Sequence, residues 1–414
     1  MQSRCVAARA GAVLIMAAGL AGCWRQPGFG PLHQGSNPLE RQLTVANVAT
    51  LHPAWTATVD DGPVRSDPVV SGSGLVHVSD DRAAYGLEAP SGARRWRTQV
   101  VPSGGPPGMV AGPVSSDETQ VVVPWGGVPD SGGVSHLAAG TGAPAGVDPG
   151  IGVRSATLRD PWTVEPFSGF VEGTVAGAGV HVDGPTDWSL LTGFEVGPEI
   201  PPPTPAAVTA TRFLVGIEDS WFGSDLLAAW NLDATGCTPT SPVDGCRPVL
   251  SVALDGVPTG PVVADGEAVA YVATEAGTVY AVDIAGGAVL WTADVGAAVS
   301  RRPALTAGAL FVVTDAGDLV SLAPGGCGAA TCAPTRTTDL AGAPVTDPAV
   351  AGGVVYVASA GGVVEAFAAA GPGGAGPLWS TSVGAEVTGG PTVASGLLLV
   401  GTADGRMLAF APGA

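Results

Sequence analysis

The sequence predicts an all-β fold, a single β-propeller of four-stranded antiparallel blades, and three observations carry that reading. Stretches of the C-terminal half superpose on one another at intervals of 42 to 45 residues. Glycine (63) and proline (37) make up about a quarter of the 414 residues, as short strands joined by tight turns require. No long helical period interrupts the Val-, Leu- and Ala-rich runs between the turns.

Each C-terminal repeat opens with Pro-x4-Gly, at Pro261–Gly266, Pro303–Gly308, Pro348–Gly353 and Pro391–Gly396. An apolar strand follows, as Val269–Thr274, Leu310–Thr314, Val354–Ser359 and Leu397–Thr402, and then a turn at Gly277, Gly317, Gly362 or Gly405. A third strand comes next, at Val279–Asp283, Leu319–Leu322, Val363–Phe367 and Met407–Phe410, and a fourth begins near a tryptophan in Val289–Asp294 and Leu378–Ser382. A small sheet that is apolar on both faces cannot bury itself, so such copies stack face to face around an axis. Trp96, Trp291 and Trp379 recur at one position of the repeat and are expected to pack between blades rather than grip a ligand.

The N-terminal half repeats more loosely. Anchor prolines at 68, 113, 205, 261, 303, 348 and 391 stand 45, 92, 56, 42, 45 and 43 residues apart. The gap of 92 has room for one more copy in residues 150–200, which gives eight blades, with seven as the alternative. The last copy stops after its third strand. An orphan strand at Ala54–Val59 has its Trp55 13 residues before Pro68, much as Trp291 and Trp379 stand 12 before Pro303 and Pro391. It is expected to complete the last blade and so remove an open sheet edge.

At the N-terminus, Arg4 and Arg9 precede an apolar run from Ala10 to Leu20 and then Leu20-Ala21-Gly22-Cys23, the order of a bacterial lipoprotein signal. The run is too short to cross a ~30 Å hydrocarbon core as a helix. Residues 1–22 are therefore read as a signal peptide cleaved before Cys23, whose sulfur and new amino group take acyl chains and anchor the protein. Cleavage removes two arginines and no acid, taking the formal charge from −19 to −21. The expected location is the cell envelope, at the outer membrane or the outer face of the cell membrane. Residues 23–42, rich in Pro, Gly and Gln, read as the lipidated cysteine and a flexible tether, and 43–414 as the propeller. Four cysteines remain in this oxidising compartment. Of three pairings, Cys237 with Cys246 and Cys327 with Cys332 is favoured, because each couple sits in one loop at equivalent points of two repeats.

Motifs for chemistry are scarce. His33, His52, His77, His136 and His181 are scattered without metal-hydrolase spacing, and none lies near the cysteines to complete a zinc site. Asp130-Ser131-Gly132-Gly133 is similar to the nucleophile turn of chymotrypsin-like proteases but falls where a glycine hairpin is due in the second blade. Asp60-Asp61 and Asp80-Asp81 lack the evenly spaced oxygens of a calcium loop. The negative charge argues against nucleic acid as a partner, and the protein's field is expected to repel anionic membrane surfaces, so that attachment to a membrane falls to the lipid anchor.

The stretch Val279-Tyr-Ala-Val-Asp-x3-Gly-x3-Trp291 resembles the tryptophan-docking repeat of quinoprotein dehydrogenases and their non-enzymatic relatives, and Leu43 to Trp55 resembles the segment leading such propellers into their ring. In architecture the chain is also similar to the propeller lipoprotein of the outer-membrane β-barrel assembly machinery. The enzymatic branch implies pyrroloquinoline quinone with calcium or a lanthanide, two adjacent cysteines and a catalytic Asp. No two cysteines are adjacent here, and no metal ligand or catalytic residue maps onto a matching motif, so no cofactor and no catalytic site is assigned. The reading is a monomeric, lipid-anchored envelope scaffold with a protein partner, binding at the loop face or central channel. Competing readings are a quinone-dependent dehydrogenase, with carboxylates converging on a central cavity, and a carbohydrate or cell-wall binder using Trp125, Trp188 and Trp221, which stand outside the regular tryptophan position.

Overall fold

The computed structural model describes residues 23–104, 108–117, 119–128, 131–150, 156–159, 162–171, 175–183, 188–195, 203–218, 224–236 and 247–413. Short apolar runs become strands, and glycines such as Gly277 and Gly317, at φ +85° and +98°, turn one strand back on the next. The described residues form eight sheets. The first comprises Val69–Val70, Leu75–Ser79, Ala83–Glu88 and Arg94–Gln99. In the second, Val110–Ala111 and Ser115–Ser116 both pair with Gln120–Val128, followed by Ser131–Ala138 and Pro144–Gly150. The third, inside the long gap between Pro113 and Pro205, has Thr157–Arg159, Trp162–Val171, Val175–Asp183 and Trp188–Glu195. The fourth to seventh start with Ala207–Val208, Val262–Val263, Ala304–Leu305 and Ala349–Ala351. The eighth is Val387–Ala394, Leu397–Thr402 and Arg406–Ala411, completed by His52–Thr58.

That last pairing, Thr58 opposite Arg406 through His52 opposite Ala411, is the closure expected of the orphan strand. It starts two residues earlier than the sequence reading placed it, because the bulge between Pro53 and Trp55 lets the chain pair before the tryptophan.

The core lies between sheets rather than within one. Leu310 and Val312 of the sixth sheet pack with Tyr271, Val279 and Trp291 of the fifth. Phe311 and Val313, pointing the other way, pack with Val355, Val357 and Phe367 of the seventh. The strand's period of two thus feeds two different cores, which is why these strands read as unbroken apolar runs. The same arrangement passes from sheet to sheet round the ring. It ends with Leu399 and Met407 of the eighth packed on Val76, Val78 and Tyr85 of the first.

Tryptophans on outer strands latch four of the sheets to the next. Trp55, Trp96 and Trp291 donate their indole N–H to the carbonyls of Ala89, Ala139 and Pro324 in the following sheet, at 2.7, 3.1 and 3.2 Å, and Trp379 donates to Leu51 at 3.0 Å. The ring of Trp96 lies on Gly142, where φ is +67° and a Cβ would stand 2.5 Å from the indole. Outside the latches, the Cys327–Cys332 disulfide closes a loop whose Ala330 and Cys332 pair with Thr292, covering the outer edge of the fifth sheet.

Trp96→Ala and Gly142→Ala remove opposite sides of one latch. Each is expected to lower stability, by about 3–5 kcal/mol for the tryptophan and about 1–3 kcal/mol for the glycine. The double variant should lose less than the sum, measured as urea midpoints at constant m-value.

Candidate functional site in the axial channel

The innermost strand of each sheet has a neighbour on one side only, so its other edge turns a row of backbone N–H groups toward the axis. Residues 24–37 take up that row. Trp24 exchanges both backbone bonds with Val70 of the first sheet, at 3.0 and 2.6 Å. Ser116 of the second donates to the Arg25 carbonyl at 2.7 Å. In the third, the Gln26 side chain stands in for a peptide, accepting from Leu158 N–H at 3.0 Å and donating to its carbonyl at 2.6 Å. Val208, Val263, Leu305 and Val350 of the next four sheets donate to the carbonyls of Pro31, Leu32, Gln34 and Gly35, at 2.6, 3.0, 2.6 and 2.8 Å. Ser36–Asn37 then pair in parallel with the seventh sheet, and the Asn37 amide donates to Val393 of the eighth at 2.9 Å.

The segment read from composition as a flexible tether is therefore an internal strap that runs once round the channel. Its composition suits this role as well. Gly35 turns at φ +62° where a Cβ would stand 2.9 Å from that of Ala304, Pro31 supplies a carbonyl without needing an acceptor of its own, and Gln26 and Asn37 bond with their side-chain amides.

Against the strap lies a charged cluster from equivalent repeat positions. Asp67, Arg302 and Asp347 each precede an anchor proline, which keeps the preceding backbone extended and brings that residue to the axis. Arg302 pairs with Asp347 through Nη2 at 3.2 Å and its own N–H at 2.9 Å. Asp67 accepts the Gly390 N–H at 2.8 Å; burial, and then the nearby Asp347 carboxylate, raise its pKa from 3.8 to about 6. Trp24 Nε1, His33 Nδ1 and Arg302 Nε and Nη1 are buried without a protein partner around a void of about 10 Å³, the size of one water molecule. A tricyclic quinone with its metal does not fit there while the strap is seated, and the only acids in that lining, Asp67 and Asp347, are held by Gly390 and Arg302.

Among the described residues, those singled out in the sequence do not come together. Trp125 is a strand residue, 8% exposed, with its indole donating to Ser135 at 3.1 Å, and it is not presented to a ligand. Trp188 starts a strand of the third sheet, while Trp221, Cys237 and Cys246 lie outside the described residues. Ser131, Gly132 and Gly133 open the strand Ser131–Ala138 of the second sheet and are laddered on both sides, where the sequence reading placed them in the turn; Asp130 lies outside the described residues. Asp60 and Asp61 meet Arg94 and Arg97, Asp81 meets Arg65, and Asp80 accepts from Tyr85 and the N–H groups of Asp61, Arg82 and Ala83, a clasp across the joint between the eighth and first sheets. Among the described residues, no three His, Cys, Asp or Glu are placed to hold a metal ion. His77 is fully buried against Trp96 and bonded to Ser71; burial lowers its pKa to about 3. The Cys23 sulfur is in a disulfide, a bond that the thioether of a lipidated cysteine would replace.

Between pH 4 and 6 the folded chain keeps a proton on Asp67 that the unfolded chain has released, so this group withdraws stability as pH rises through that window. His77 acts in the other sense: the unfolded side chain takes a proton below about 6.5 and the folded one not until about 3, so acid withdraws stability. Asp67→Asn is expected to raise stability at pH 8 by up to about 3 kcal/mol, and His77→Phe to remove the loss below pH 6, both measured by denaturant titration across pH. Gln26→Ala, which leaves both backbone groups of Leu158 unpaired, should cost about 2 kcal/mol in the same assay.

The repeat model for the outer membrane protein assembly factor BamB matches residues 37–145, 230–326, 275–372 and 337–413. No curated protein sequence matches significantly. Among solved structures, the chain is similar to quinohemoprotein alcohol dehydrogenase ADHIIG from Pseudomonas putida HK5, at 14% identity over 95% of this chain and 80% of that one, with a TM-score of 0.68. It is similar to a europium-containing methanol dehydrogenase at 12% identity over 94% and 98%, TM-score 0.69, and to BamB from Moraxella catarrhalis at 16% over 87% and 99%, TM-score 0.60. At these identities the structural likeness speaks for the propeller alone. The repeat matches cover well over half of the sequence, and with the ring of sheets behind them they place this chain in the family of the outer membrane protein assembly factor BamB.

Proposed function

We propose that the protein is an extracytoplasmic, lipid-anchored, eight-bladed propeller that acts as a protein-interaction scaffold of the cell envelope rather than as a catalyst. The observation that carries this reading is the strap. A propeller whose axial channel is lined all the way round by its own chain has only its faces and rim to offer a partner, and such surfaces suit a macromolecule better than a small substrate. Membership of the BamB family supports an envelope role, and the lipobox ending at Cys23 supports the anchor. Quinone-dependent oxidation is the competing reading, favoured by the likeness to dehydrogenase propellers. It requires residues 24–37 to leave the channel.

In native membranes, crosslinking is expected to capture a discrete envelope protein at positions on one face of the ring, and dye-linked dehydrogenase activity should stay at background after addition of pyrroloquinoline quinone and calcium. Activity that appears with the quinone would overturn the scaffold reading.

A further inference from the structure

The strap fixes where a lipid on Cys23 must emerge. Trp24 is 2% exposed, packs edge-on against Phe29 at 5.6 Å and is bonded in both directions to Val70, so Cys23 is one residue from a fixed point on the channel wall with no slack between them. In the antiparallel bridge to Val70, Cys23 falls on the side of Ser71, which opens the hairpin between the first and second strands of its sheet. Among the described residues, the corresponding hairpins of the fifth to eighth sheets, at Gly266, Gly308, Gly353 and Gly396, share that face of the ring. The chain leaving the strap lies on that face too, with the Leu43 carbonyl against Gly352 and the Glu40 carboxylate accepting the Gly396 N–H at 3.0 Å. Between these two contacts and just beyond them the chain exposes Leu39 (52%), Arg41 and Val45 (45%).

We infer that this face rests on the lipid bilayer. The acyl chains of Cys23 leave through the mouth of the channel, Leu39 and Val45 enter the interface, and Arg41 meets the phosphate headgroups. The ring lies flush on the membrane instead of swinging from a linker, because letting it swing would pull Trp24 out of its packing and leave the N–H groups of Val70, Ser116 and Leu158 unpaired. The inference rests on the lipid anchor proposed above.

The test uses the full chain, matured and purified in its lipidated form and bound to vesicles of phosphatidylethanolamine and phosphatidylglycerol. A fluorophore is placed in turn at L39C, V45C and A360C, the last in an exposed hairpin of the opposite face. Loss of quenching by a water-soluble quencher at positions 39 and 45, with full quenching at 360, is the expected result. Full aqueous quenching at all three positions on vesicle-bound protein overturns the seating while leaving the anchor intact. Protein that fails to float with the vesicles and carries an unmodified Cys23 by mass spectrometry overturns the anchor, and the seating with it.

Discussion

A ring of sheets meets water, or its own chain, along an inner edge. The innermost strands cannot pair with one another across the axis, and their inward N–H groups are too deep for bulk solvent to serve them well. In this protein that constraint is met by a segment that comes before the propeller in sequence and lines it in space. Sheet after sheet donates to the strap, and the strap in turn holds Asp67, Arg302, Asp347 and His33 in a space with room for little more than a water molecule. Along the strap, the channel is a seam between the chain and its own sheets.

The ring is also joined three times at one place. The strand pairing of His52–Thr58 with Arg406–Ala411 closes the eighth sheet itself, and the joint of that sheet with the first carries the Trp55 latch onto Ala89 and the Asp60–Asp61 clasp with Arg94 and Arg97. Exposed ion pairs contribute little singly. Here they sit beside a tryptophan contact and a strand ladder, so they fix the register of a joint that packing already holds.

Much of the fold was legible because it is written several times over. Pro-x4-Gly, a glycine turn and a tryptophan recur at one spacing, and repetition turns a weak local pattern into a firm one. The packing role of Trp96, Trp291 and Trp379 followed from that recurrence, and so did the closing strand. The strap was not legible. It bonds through backbone groups and side-chain amides, which leave no hydrophobic period, and its glycines and prolines look the same in a tether as in a tight inner turn. The axial charges did leave a mark that went unread: Asp-Pro, Arg-Pro and Asp-Pro at 67, 302 and 347 are the repeat's anchor position with a charged residue just before it. Trp125 was set apart by position, but it is buried in the second sheet, where the spacing departs from the rest.

The strap and the closing strand both belong to the earliest part of the chain, yet their partners are spread to its far end. Asn37 waits for Val393, and His52 waits for Ala411. Contacts so remote in sequence form only after a large loop-closure entropy has been overcome, and not at all until the last sheet exists. A polypeptide built this way stays unlocked until its eighth sheet has formed, so the lining of the channel and the closure of the ring become permanent together, as one late event.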